Sequence, residues 1–198
     1  MLVGTGFARL QSGKPAHYRT RTSRTCLVET AEASVRLELW AEPDSVPAAR
    51  HALSAFADRL GCDGGAVRIV VSELVGNAVL HAYYGRDPGP VLVLGRILRG
   101  RLLVVTIADR GRGMIVRADS PGLGVGLPAV SKLARDLRID SDDAGTAVSA
   151  SFEIGVERRS ADAADADAES EVAAELQRAR RLVGKVAPRK GGRLALAG

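Results

Sequence analysis

Three polar side chains, Glu73, Asn77 and His81, interrupt the otherwise apolar stretch SELVGNAVLHAYYG at residues 72–85. Their spacing of four places them on one helix face, within reach of one bound object. Val67, Val70, Val71, Leu74, Ala78 and Ala82 form an apolar surface beside them. By itself such a stripe reads as the wet edge of a core helix. Residues downstream change that balance. Asp109 ends the apolar run LLVVTIAD and opens a D-x-G-x-G pattern with Gly111 and Gly113. A carboxylate at a strand end can accept a hydrogen bond from an exocyclic amine, and glycines beside it let a flat ring approach the backbone. In GLGVG, Gly122, Gly124 and Gly126 alternate just ahead of a predicted helix. Free N–H groups and the helix dipole make such a segment a cradle for phosphate. Gly145 and Thr146 open a predicted strand, and the threonine hydroxyl can anchor a ring or a bridging water. Each pattern alone is common in loops. Four of them in order, each at an element boundary, point to a nucleotide. A Walker A sequence, G-x-x-x-x-G-K-[ST], is absent, which disfavours a P-loop site.

The elements that must position these residues follow from periodicity. SVRLELWA (34–41) alternates as a strand. EPDSVPAARHALSAFADRLG carries Val46, Ala49, Leu53, Phe56, Ala57 and Leu60 at helical spacing and stops at Gly61. GGAVRIVVSELVGNAVLHAYYG is a second helix, closed by Gly85. VLVLGRILRG and RLLVVTIAD form a hairpin turning at 99–101. LPAVSKLARDL reads as a third helix, and RIDSDDAGTAVSASFEIG as two short strands around a turn. The order β α α β β α β β predicts an α+β two-layer sandwich: a mixed, mainly antiparallel sheet with helices on one face. Residues 1–33 show little periodicity and read as a disordered basic extension. Residues 34–155 form the folded domain. Residues 156–198 are an Ala/Asp/Arg-rich tail, otherwise disordered, in which ESEVAAELQRARRLV fits a lone amphipathic helix.

The net charge is +5. It divides as +3 over residues 1–33, zero over 34–155 and +2 over 156–198. The excess sits in the ends, so the folded part carries no basic stripe for nucleic acid. Cys26 and Cys62 form no CxxC pair, which speaks against a disulfide framework and fits a reducing cytoplasm. No run of 18 apolar residues and no secretory leader stand out, so neither a membrane span nor export is expected. Arg112, Arg117 and Lys132 could help neutralise phosphate charge, but they read more simply as solvated basic residues.

Together the four patterns resemble the GHKL superfamily of ATPases and kinases, which share the Bergerat nucleotide-binding fold. They match over roughly residues 69–154. The His-Ala-Tyr end of the helix phrase and the short segment between Gly113 and Gly122 are most similar to the bacterial anti-sigma-factor serine kinases. The resemblance implies ATP and Mg²⁺ as cofactors. It implies that Asn77 ligates Mg²⁺ and that Glu73 is the general base acting on a serine hydroxyl. It further implies that Asp109 binds the adenine amine, with Gly111 and Gly113 lining the ring. Gly122, Gly124 and Gly126 approach the phosphates, and Thr146 supports adenine. The implied partners are a sigma factor, held inactive, and an anti-anti-sigma protein of the STAS type, phosphorylated on serine. Such kinases commonly form homodimers. Gly76 departs from the family phrase, where a threonine is usual.

Besides a DNA-binding role for the tails, which their mixed charge signs and scarcity of aromatics disfavour, two other readings compete. One is an ATP-binding regulatory module that sequesters a partner without turnover. The other is the catalytic half of a histidine kinase. Of His17, His51 and His81, none has the surroundings of a phosphoacceptor on a helical hairpin.

Overall fold

The computed structural model of the chain describes residues 18–20, 27–31, 33–114, 126–155 and 165–186. Seven strands form one sheet: β1 (Tyr18–Thr20), β2 (Leu27–Ala31), β3 (Ser34–Trp40), β4 (Pro90–Leu98), β5 (Leu102–Asp109), β6 (Asp136–Asp142) and β7 (Gly145–Glu153). Their order is β1-β2-β3-β4-β5-β7-β6. Every pair of neighbours is antiparallel, so no parallel admixture exists among the described strands. The helices are α1 (Ser45–Arg59), α2 (Gly64–Asn77), α3 (Gly126–Leu133) and α4 (Asp165–Val183). A π-helical segment, Ala78–Ala82, continues α2.

The α+β class holds, and its main core lies between one sheet face and α1–α3. Val35, Leu37 and Leu39 alternate inward from β3 and meet Leu53 and Phe56 of α1 and Val67, Val70, Val71 and Leu74 of α2. The junction between α1 and α2 is set locally. Gly61, at φ +68°, lets the Cys62 N–H reach back to the Ala57 carbonyl (3.0 Å) and its own N–H reach Asp58 (3.2 Å). That is the left-handed C-terminal cap that glycine favours. The Asp63 carboxylate then accepts from Ala66 N (2.9 Å) and caps α2. The stretch Gly64–Ala82 is long and apolar enough to cross a membrane by length and composition alone. Here its six predicted apolar residues are buried, five of them in this core.

Three expectations need correction. First, β1 and β2 lie within the 1–33 extension, where no strand is predicted. Strand β2 pairs onto the free edge of β3, from Leu27↔Glu38 to Ala31↔Ser34, and β1 pairs in turn onto β2, from Tyr18↔Thr30 to Thr20↔Val28. A free edge offers a ladder of backbone groups whatever the side-chain period. Second, α3 stops at Leu133, earlier than LPAVSKLARDL suggests, because Asp136 and Leu137 pair with Ser151 and Ala150 in the sheet. Third, the helix in the tail is not alone, and not every helix lies on one face. Helix α4 covers the other face of β4, β5 and β7. Leu176, Ala179 and Val183 pack on Leu92, Leu94, Ala108 and Ala147, while Ala168 and Val172 pack on Leu98, Leu102 and Val104. Each large side chain buried this way stabilises by about 1.5–3 kcal/mol. Ion pairs flank the contact: Arg96 with Glu175, and Arg99 with Glu171 (2.9 Å).

Candidate functional site

Strand β5 is buried along its whole length and delivers Asp109 at its C-terminal end, where only 8% of the residue is exposed. Asp109 Oδ1 accepts from Gly111 N (2.8 Å) and from Thr146 N (3.3 Å). Among the described residues both bonds fall on Oδ1, and neither uses Oδ2. Burial pushes the carboxyl above its ordinary pKa, and the two N–H bonds and the charge of Arg180 oppose that shift. The Thr146 hydroxyl pairs with Ser141 Oγ (3.0 Å), and Ser141 Oγ also accepts from Met114 N (2.6 Å). The turn between β6 and β7 is thus wired both to Asp109 and to the loop that follows it.

The glycines around Asp109 have a reason other than the one expected. A Cβ on Gly111 would run into the Ala82 backbone. One on Gly113 (φ +76°) would strike the Asp142 carbonyl oxygen. One on Gly145 (φ +134°) would strike the Asp109 carbonyl oxygen. The missing side chains let protein backbones close on one another and lock the geometry of Asp109. These contacts by themselves require glycine at the three positions, whatever else their backbones line.

Helix α2 provides the second half of the site. Glu73 and Asn77 are each partly exposed on it. A Cβ on Gly126, the first residue of α3, would lie 2.8 Å from Glu73 Oε2, so a glycine lets α3 begin against that carboxylate. Between Glu73 and Asn77, a Cβ on Gly76 would meet nothing among the described residues. Directly after Asn77 the helix widens to its π segment, a feature frequent at functional sites. Neither Glu73 nor Asn77 bonds to Asp109 or Thr146 among the described residues. The two halves are joined instead by Arg112 N donating to Ala82 O (3.0 Å). Among the described residues no group of three or more His, Cys, Asp and Glu could hold a metal ion. Gly122, Gly124 and Arg117 lie outside the described residues. Lys132 is exposed, and Arg112 stacks on the Tyr84 ring at 5.3 Å.

Sequence reasoning passes over Tyr83. Its hydroxyl donates to Pro90 O (2.7 Å) and accepts from Arg110 N (2.9 Å), clamping the start of β4 to the residue after Asp109. Burial pushes the phenol up to about 12. The signal for it was the HAYYG end of the helix phrase, read only as a family mark. Tyr83→Phe should lower stability by about 1–3 kcal/mol, because it strips a donor and an acceptor from groups packed around the ring. A urea midpoint that falls with an unchanged slope would show this, and an unchanged midpoint would remove the clamp.

An antiparallel sheet throughout the described strands, a capped helix pair on one face and a buried strand-end carboxylate define an α+β module. The chain belongs to the family described as histidine kinase-like ATPase domain, whose pattern matches residues 39–152, more than half of its length. It is 35% identical over 85 residues to the serine-protein kinase RsbW of Listeria monocytogenes serotype 4a (strain HCC23), covering 41% of this chain and 54% of that protein. It is 36% identical over 87 residues to the serine-protein kinase RsbW of Bacillus velezensis, covering 42% of this chain and 54% of that protein. The chain therefore spans about half the length of these relatives. Among solved structures it is similar to the RsbU and RsbW domains of Rv1364c from Mycobacterium tuberculosis. That similarity has 20% identity and a TM-score of 0.46, over 63% of this chain and 34% of that one.

Proposed function

We propose that this chain is an ATP-dependent protein serine kinase that also acts as an anti-sigma factor in the bacterial cytoplasm. It would bind a sigma factor and phosphorylate an anti-anti-sigma protein of the STAS type on serine. The observation that carries the reading is Asp109, a buried strand-end carboxylate whose Oδ1 is fixed by two backbone N–H groups, neither of which uses Oδ2 among the described residues. An adenine amine fits that acceptor, since it supplies the missing donor in a place where few others fit. Glu73 on the facing helix is the base that takes the proton from the serine hydroxyl. Gly126 and the start of α3 lie beside it, where N–H groups favour the negative charge of phosphate. Bound ATP supplies the transferable phosphoryl group and, with Mg²⁺, the charge neutralisation that phosphoryl transfer needs.

Asn77 would hold Mg²⁺ through its amide oxygen. Mg²⁺ takes one or two protein ligands and completes its shell with phosphates and water, so an all-protein cage is not needed. Asn77→Ala should abolish the dependence of ATP affinity on Mg²⁺, read by titration with and without the metal. An unchanged response would rule out this role.

The test of the whole reading uses labelled ATP, Mg²⁺ and a candidate anti-anti-sigma protein. Label appearing on a serine of that protein supports the kinase. ATP binding without transfer supports the regulatory module instead.

A further inference from the structure

We propose that α4 acts on the nucleotide site within the same chain, with Arg180 as the positioning residue that holds the β6–β7 turn, and through it Asp109, in its binding arrangement. The inference rests on the ATP reading of that site. Three carboxylates, Asp140, Asp142 and Asp143, crowd into four residues at this turn. Like charges so close repel one another and splay the turn unless a cation answers them. Arg180 reaches over from α4 and supplies it. Its guanidinium pairs with Asp140 at 3.0 Å and with Asp142, while Gln177 donates to Asp140 Oδ2 at 2.8 Å. The Arg180 side chain is 17% exposed, against 35% for Asp140 and 58% for Asp142, so the arginine is held in place while water still reaches the carboxylate side of both pairs.

What Arg180 grips is the framework of the candidate adenine anchor. The Asp142 carbonyl abuts Gly113, Ser141 bonds Met114 and Thr146, and Thr146 N bonds Asp109. Helix α4 is held in register by apolar contacts along the back of β4, β5 and β7. Its C-terminal half packs on Ala108 and Ala147, next to the two anchors. Its other end is tied by Glu171 to Arg99, near the far turn between β4 and β5. The helix thus spans the sheet and bears on the site at one end only. Lifting it would free the turn and loosen the grip on nucleotide.

The test uses the full chain and a fluorescent ATP analogue with Mg²⁺. Arg180→Met keeps the apolar stem and removes the charge, and it should weaken binding about tenfold, within the usual range of coupling between sites. Arg180→Lys should restore most of the affinity. Glu171→Gln removes a tether at the remote end and should leave affinity unchanged while lowering the thermal midpoint. Asp142→Asn breaks the same ion pair and should weaken binding, by less than Arg180→Met because it also removes one of the three repelling charges, and the double variant should be no worse than Arg180→Met alone. If Arg180→Met does not fold, Asp142→Asn carries the test. Wild-type affinity in the charge-removing variants overturns the inference and leaves the ATP reading standing. Equal losses in Glu171→Gln also overturn it, since the helix would then act through stability alone. A wild-type chain that binds no nucleotide overturns the ATP reading and this inference with it.

Discussion

Asp109→Asn is expected to weaken ATP binding by about tenfold to a hundredfold, with little change in thermal stability. The two side chains have the same shape, so the difference lies in their hydrogen-bonding groups. Asp109 Oδ1 is claimed by Gly111 N and Thr146 N. An asparagine must keep its oxygen on those two donors, which turns its NH₂ toward the position of Oδ2. There it faces the adenine amine, donor against donor. A buried mismatch of this kind costs a full desolvation penalty rather than a small net hydrogen bond. Calorimetric titration with ATP measures the effect. Wild-type affinity in a folded Asp109→Asn protein would remove the adenine assignment.

Glu73→Gln should leave nucleotide affinity near wild type and reduce phosphoryl transfer by about 10²–10⁴-fold, the usual contribution of a positioned base. The amide keeps the volume beside Gly126 but cannot take a proton. Single-turnover transfer of label to the acceptor protein separates the two effects. Transfer at the wild-type rate would exclude Glu73 as base, and loss of binding would give it a role in holding the nucleotide.

Much of the site was legible because its residues sit where local rules speak clearly. A carboxylate closing an apolar strand, and polar groups spaced by four on an apolar helix, declare their positions through period alone. The companions of Asp109 were less legible. Gly111, Gly113 and Gly145 serve contacts with Ala82, Asp142 and Asp109 that depend on tertiary approach. Nothing in their spacing distinguishes that role from room for a ligand. Tyr83 was missed because a single aromatic after a helix carries no pattern. The second layer over the sheet did leave a trace. VLVLG and LLVVTIA are, Thr106 apart, free of polar side chains on both faces rather than at alternate positions, the mark of strands covered on both faces. Joined to the amphipathic segment that becomes α4, that trace accounts for the helix on the back. Strands β1 and β2 follow from the free edge of β3, which exists only once the sheet has formed.

The back layer also has a consequence for how the chain is made. Strands β4, β5 and β7 are complete by Glu153, but the helix that covers their second face ends only at Val183. At a synthesis rate of about 5–20 residues per second, the helix that covers Leu92, Leu94 and Val104 is completed a few seconds after β7. During that interval an apolar surface is presented beside the ribosome, where nascent chains meet chaperones and one another. Slowing translation across residues 154–183 should therefore lower the yield of soluble protein, whereas slowing it across the loop before β4 should not.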